Sequence, residues 1–77
     1  MSAYVLDATE LYRRLDTRRQ ERGISWRQLA RENGISPCIP SRLKNGSAPD
    51  AHTLLSLIVW LDLDTDIAYL IKPKDAE

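Results

Sequence analysis

Two helical segments in the middle of the chain are separated by only three residues, and this spacing limits how the chain can fold. The first segment follows Ser25, a residue type that caps helices, and closes at Asn33-Gly34. The second opens with Ser36-Pro37, a capping serine followed by the proline that helices accept at their first position, and ends at Asn45-Gly46. Because the connection is so short, the two helices cannot lie antiparallel and must meet at a steep angle.

Two longer helices are predicted on either side of this pair. Asp7 and Glu10 form a capping-box variant before a helix that runs to about Arg22 and is stopped by Gly23. Asp50 caps the fourth helix of the chain. Its apolar residues recur at i, i+3, i+4 and i+7, which is typical of a helix with one buried face: Leu54, Leu57, Ile58 and Leu61.

The remaining segments complete an all-α expectation. A short fifth helix is predicted over residues 65–70, and no segment of four or more residues alternates apolar and polar side chains as a strand would. We therefore expect a compact five-helix bundle in one domain, residues 1–77, with a core over about 7–71 and short frayed ends.

Several classes of function are excluded by what the sequence lacks. The single cysteine and single histidine, Cys38 and His52, can form neither an internal disulfide nor a zinc site. The sequence offers no Ser/His/Asp set, metal cluster or phosphate-binding glycine loop, so we expect no enzyme, no cofactor and no small-molecule ligand. With no signal-peptide pattern and no apolar run beyond Leu57–Leu61, we expect a cytoplasmic protein that does not enter a membrane.

A net charge of zero conceals a strong asymmetry along the chain. Residues 1–46 contain nine basic and five acidic side chains, whereas residues 47–77 contain two basic and six acidic ones. A basic first half can attract a polyanion, so the neutral total does not exclude nucleic acid as a partner. Solvated helix faces would give the same charge pattern, and charge alone does not separate the two interpretations.

The central pair of helices resembles the helix-turn-helix of the phage repressor and Cro (XRE-like) family. The likeness lies first in the spacing of Ala30, Gly34, Ile35 and Leu43. It extends to three further segments and covers roughly residues 10 to 70: Arg22-Gly23-Ile24-Ser25-Trp26-Arg27-Gln28-Leu29-Ala30, Ser41-Arg42-Leu43-Lys44-Asn45-Gly46, and Pro49-Asp50 followed by Leu54-Leu55. The resemblance implies a transcriptional regulator of prokaryotic or phage type, acting at the nucleoid, that inserts its third helix, about residues 36–45, into the major groove of a double-stranded DNA operator.

The same resemblance implies a set of DNA-contacting residues. Arg42 is expected to read a base, because its guanidinium can donate two hydrogen bonds to a guanine edge. For Trp26, contact with a phosphate and packing between helices are equally open. The full set comprises Trp26, Arg27, Ser36, Pro37, Cys38, Ile39, Ser41, Arg42, Lys44, Asn45 and Ser47.

Two prolines depart from the family pattern. Pro37 replaces a side chain that in the family commonly bonds a base. Pro40 stands where the pattern has a branched apolar residue, and it lacks the N–H that would bond the Ser36 carbonyl. We therefore predict a loosened or tilted first turn, with Pro40 packed inward while Cys38 and Ile39 contact DNA through van der Waals interactions.

Two kinds of association with other proteins are compatible with the sequence: a homodimer of the DNA-binding protein, and binding to a different protein. Val59 and Trp60 lie off the apolar stripe of the fourth helix, so either the terminal helix covers them or they form an exposed apolar patch. With Tyr69 and Ile71 such a patch can form the contact of a homodimer, either in solution or only on DNA, and a weakly binding monomer is the alternative. The alternative to a DNA-binding function is a protein-binding adaptor or antitoxin-like module that uses the same scaffold. Salt sensitivity of binding distinguishes the two.

Overall fold

Four α-helices, a 3₁₀ helix and two short strands make up the part of the chain that the computed structural model describes, residues 3–62 and 67–74. No helix within these ranges is long and apolar enough to cross a membrane. The elements, in chain order, are β1 (Tyr4–Leu6), α1 (Ala8–Arg22), α2 (Trp26–Asn33), α3 (Ile39–Lys44), α4 (Ala51–Trp60), the 3₁₀ helix (Ile67–Leu70) and β2 (Ile71–Pro73).

Three of the predicted helix starts are confirmed by their capping hydrogen bonds. The side chains of Asp7, Ser25 and Asp50 each accept a hydrogen bond from the backbone N–H three residues later. The turn after α2 depends on Gly34, whose φ of 64° lies in the left-handed region that side chains disfavour. This glycine lets the chain leave α2 sharply and begin the approach to α3 within a few residues.

The core lies where α1 packs against α3 and α2 packs against α4. The predicted stripe of α4 is confirmed, since Leu57, Ile58 and Leu61 are buried and Leu54 is half-buried. Six leucines in the described ranges are completely enclosed and fix how the helices sit together: Leu11, Leu15, Leu29, Leu43, Leu57 and Leu70.

The expectation of an all-α five-helix bundle is not confirmed, because a small antiparallel ribbon is present. Tyr4 pairs with Pro73, Val5 with Lys72 and Leu6 with Ile71. Chain segments expected to fray are therefore held together by backbone hydrogen bonds. Strands of three residues are too short to show an alternating pattern, and here each is stabilised by a partner far away in the sequence.

The described part of the predicted fifth helix is a 3₁₀ helix, not an α-helix. Residues 67–70 form one turn of 3₁₀ helix, while residues 65 and 66 lie outside the described part of the chain. Leu70 is completely buried and packs into the core, and its carbonyl accepts a hydrogen bond from the N–H of Asp7. This turn therefore joins the ribbon to the start of α1.

The third helix begins at Ile39, two residues later than the predicted first helical residue, Pro37. Ser36 does accept a hydrogen bond from the N–H of Cys38, but the chain makes a turn there in which the N–H of Ile39 bonds the Ser36 carbonyl. Pro40 has no N–H to continue that ladder, and the first bond of α-helical spacing at this end runs from Arg42 to Cys38. Pro40 is buried, so the predicted loosened turn and inward-facing proline are both present.

Candidate nucleic-acid interface

Four basic side chains on α2 and α3 have no acidic partner within residues 3–62 and 67–74. Arg27 and Arg31 lie on α2, Arg42 and Lys44 lie on α3, and all four are exposed. None of them takes part in a salt bridge, and only Arg31 makes a side-chain hydrogen bond, a long one of 3.4 Å to Gln28. The helix-turn-helix therefore presents positive charge that the described residues do not neutralise.

The arginines of α1 differ from these cations, because each of them forms an ion pair with a carboxylate. Glu10 alone accepts hydrogen bonds from Arg13 and Arg14 at 2.6 to 3.0 Å. The hydrogen bonds from Arg13, together with those from Arg14, lower the pKa of Glu10 to about 2, although burial opposes the shift. The other three pairs join Arg18 to Asp62, Arg19 to Asp16 and Arg22 to Glu32.

Most of the predicted DNA-reading residues lie on one exposed surface at and before α3. Pro37, Cys38, Ser41 and Arg42 are exposed. Asn45 and Ser47 lie in the exposed turn that follows the helix, where the N–H of Ser47 bonds the Arg42 carbonyl at 2.9 Å. Ser36, the predicted cap of α3, is exposed. It lies in the turn before α3 and does not directly precede the first residue of the helix.

Ile39 departs from the expectation that it is free to contact DNA. It is half-buried and packs against the core. The helical spacing explains this position, since Ile39 stands one turn before the buried Leu43 and shares its inward face. Cys38, just outside the helix, keeps its exposed position.

Trp26 combines packing with a free donor. Its ring stacks on Tyr12 with centroids 5.0 Å apart, and the guanidinium of Arg19 lies 4.9 Å from the ring centre. The indole N–H has no hydrogen-bond partner among the described residues and is not buried. Trp26 shares a cleft of about 190 Å³ with Ser41 and Lys44 of α3, so the structure brings these three predicted residues together.

Arg31 is an exposed cation of the candidate site that the sequence analysis did not identify. It follows Arg27 by four residues, which places two positive charges on the same side of α2. The same spacing recurs on α1 at Arg14, Arg18 and Arg22, which all have carboxylate partners. Spacing alone therefore could not have distinguished Arg31.

The residues predicted for a dimer contact do not share one groove. Val59 and Trp60 line a groove between α4 and α2, while Ile71 lines another beside the ribbon. Trp60 is half-buried, and its indole N–H donates to Glu32 at 3.1 Å. Tyr69 is exposed, with the guanidinium of Arg14 4.9 Å from its ring centre.

Glu32 is the centre of a cluster that holds α1, α2 and α4 together. Its carboxylate accepts hydrogen bonds from Trp60, Gln28 and Arg22, and these donors, in that order of importance, hold its pKa below the usual value. The guanidinium of Arg22 also lies 5.4 Å from the centre of the Trp60 ring. The one acidic side chain of α2 is therefore occupied by Arg22, Gln28 and Trp60, none of which lies on α3.

No protein-family model, curated protein or solved structure matches this chain. What the protein binds is therefore inferred from its own residues.

Proposed function

We propose that this protein is a sequence-specific DNA-binding transcriptional regulator of the cytoplasm, which places α3 and the turn before it in the major groove. The observation that carries the proposal is the difference between the two groups of basic residues. All arginines of α1 have carboxylate partners, whereas the four cations of α2 and α3 have none among the described residues. A DNA backbone supplies the missing negative charge and releases counterions when it binds.

The four cations divide into one base reader and three phosphate contacts. Arg42 is exposed on α3 and has no partner for its guanidinium among the described residues, which leaves two donors available for the O6 and N7 atoms of guanine. Arg27, Arg31 and Lys44 contact the backbone on either side of the groove and set the position of α3.

Three neighbouring groups complete the proposed interface. The free indole N–H of Trp26 and the hydroxyl of Ser41 line the same cleft as Lys44, so all three donors can serve one stretch of backbone. Pro37 and Cys38 present mainly apolar atoms, and we assign them to contact with a thymine methyl group. Base reading by hydrogen bonds then depends chiefly on Arg42.

The test is selection of bound duplexes from a random DNA pool at about 0.15 M salt, where non-specific binding is weak. We expect an enriched motif that contains guanine at the position Arg42 reads. Arg42→Ala should lose that preference, worth about 1–3 kcal/mol of discrimination. Arg13→Ala is the matched control, because it removes an arginine that is already bonded to Glu10.

Failure to enrich any motif, or loss of the motif in both variants alike, would contradict this function. The second candidate, a protein-binding adaptor or antitoxin-like module, would then take its place. Binding through an apolar protein interface changes little with salt, whereas contact with several phosphates weakens steeply.

A further inference from the structure

Of the four cations on α2 and α3, only Arg31 is held by another side chain of the described residues. Its Nη1 donates a hydrogen bond of 3.4 Å to the amide oxygen of Gln28, which lies three residues earlier on the same helix. Gln28 is half-buried, whereas Arg31 is exposed. The guanidinium of Arg31 therefore reaches the surface beside an acceptor that is itself partly enclosed.

The amide of Gln28 is held at its other end by Glu32. Its Nε2 donates to the Glu32 carboxylate at 3.2 Å, and the same carboxylate accepts bonds from Arg22 of α1 at 2.8 Å and from Trp60 of α4 at 3.1 Å. A flipped amide would place its oxygen against a carboxylate and its N–H groups against a guanidinium, so only one orientation makes both bonds. The acceptor that Arg31 uses is thus connected to three helices.

Acids stand at the corresponding position before two arginines of α1. Glu10 precedes Arg13 by three residues and Asp16 precedes Arg19 by three, and each acid forms an ion pair of 2.7 Å with its arginine. On α2 an amide of nearly the same shape as a glutamate occupies this position. Gln28 accepts a hydrogen bond from the arginine, as an acid would, but leaves the positive charge uncompensated.

We propose that Gln28 is a positioning residue for DNA binding, which orients Arg31 for contact with a phosphate without neutralising its charge. This role rests on the DNA-binding function proposed above and adds the residue that controls one of its backbone contacts. A guanidinium that is ordered before binding loses less entropy when it meets a phosphate. An amide suits both neighbours, because a carboxylate would repel Glu32 and a cation would repel Arg31.

Replacing Gln28 by glutamate tests the role on the intact protein. Gln28→Glu gives Arg31 the carboxylate that Arg13 already has, so the affinity for the selected duplex at about 0.15 M salt should fall about tenfold. The magnitude of the slope of log K against log salt concentration should fall by about 1. In an Arg31→Ala background the same replacement should cost less than about threefold, because no arginine is left to neutralise.

Gln20→Glu is the matched control for the added charge. The amide of Gln20 on α1 also donates to an acid four residues away, Asp16, at 3.0 Å, but no arginine of the described residues bonds its oxygen. This variant adds the same charge and removes the same kind of bond. It should leave both the affinity and the salt slope unchanged, and circular dichroism confirms that each variant is folded.

The orientation of Arg31 is measured without DNA. In NMR relaxation of the arginine Nε–H groups, Arg31 should be more ordered than Arg27 in the wild type and as mobile as Arg27 in Gln28→Ala. Equal mobility of the two in the wild type would overturn the role of Gln28, and so would a loss of affinity in Gln28→Glu that is equally large in the Arg31→Ala background. Both results leave DNA binding intact, whereas a wild-type protein that selects no duplex would overturn the proposed function and this role with it.

Discussion

Arginine serves two purposes in this molecule, and the difference lies in the neighbours of each side chain. On α1 the spacing of three or four residues places a carboxylate beside the guanidinium, as with Arg13 and Arg14 around Glu10. On α2 the positions three and four residues from Arg27 hold no acid: they are Gly23, Ile24, Ala30 and Arg31. The one acid of α2, Glu32, is bonded to Arg22 and Trp60. The arginines of α1 therefore stabilise the fold through ion pairs, whereas those of α2 are candidates for contact with a ligand.

The low pKa of Glu10 predicts how its contribution to stability depends on pH. A carboxyl group whose pKa is lower in the folded protein stabilises the fold above its unfolded pKa, near 4.5, and loses this effect as the pH falls toward 2. We therefore expect Glu10→Gln to lower the melting temperature at pH 6. The difference from the wild type should shrink steadily between about pH 5 and pH 2.

Thermal unfolding followed by circular dichroism over this pH range measures the effect. Glu21→Gln is the matched control, since Glu21 is an exposed acid of the same helix with no salt bridge among the described residues. Curves for Glu10→Gln and wild type that stay parallel from pH 6 to pH 2 would show that the ion pairs of Glu10 contribute nothing to stability.

At the level of elements, the proposed reading surface is unusual because part of it lies in a turn and not in a regular helix. Pro37 and Cys38 stand in a turn, and only Ile39 begins α3. The residues that would enter the groove first are thus held by the Ser36 turn and by the burial of Pro40, not by a helical hydrogen-bond ladder. The shape of this surface is set by a proline in the core.

Replacing that proline should lengthen the helix. In Pro40→Ala the restored N–H can bond the Ser36 carbonyl, a gain of about 1 kcal/mol, while loss of two buried ring carbons costs about 1.6 kcal/mol. We expect stability to fall by at most about 1 kcal/mol, with the Cα chemical shift of Cys38, the residue just before the present start of α3, moving further toward helical values. The control Pro37→Ala, in the exposed turn, should leave that shift unchanged; equal shifts in both variants would refute the role of Pro40.

At the scale of the whole molecule, charge and apolar surface are separated. Within the described residues, the arginines that have no carboxylate partner lie on α2 and α3, and the exposed apolar side chains lie on α4, the ribbon and the 3₁₀ helix. The zero net charge of the chain therefore says little about how it meets a polyanion, because most of its arginines are neutralised locally and a few are not.

This separation predicts the salt dependence of DNA binding. Three phosphate-contacting cations, with or without Arg42, give a slope of log K against log salt concentration of about −3 to −4 for each copy of the chain. Arg31→Ala should reduce the magnitude of that slope by about 1, and Arg13→Ala should leave it unchanged. Titrations by fluorescence anisotropy from about 50 to 200 mM salt decide the matter, and equal slopes for the two variants would count against the assignment of Arg31.

The sequence predicts the features that depend on neighbouring residues and misses those that depend on distant ones. Asp7, Ser25 and Gly34 act within one helical turn, so the helix ends could be predicted from local patterns. The ribbon joins residues near 5 and 72, and no local pattern contains that pairing. The candidate site shows the same limit, because Arg42 could be identified from its motif but its lack of a partner is a property of the folded chain.

The ribbon between β1 and β2 has a consequence for the order of folding. Its strands meet only after the intervening chain has been gathered in, and closing a loop of that length carries an entropic cost that the short strands cannot offset alone. Packing of α1 against α3 and of α2 against α4 brings the two ends together first. We therefore expect the ribbon to form last during folding and to open first during unfolding.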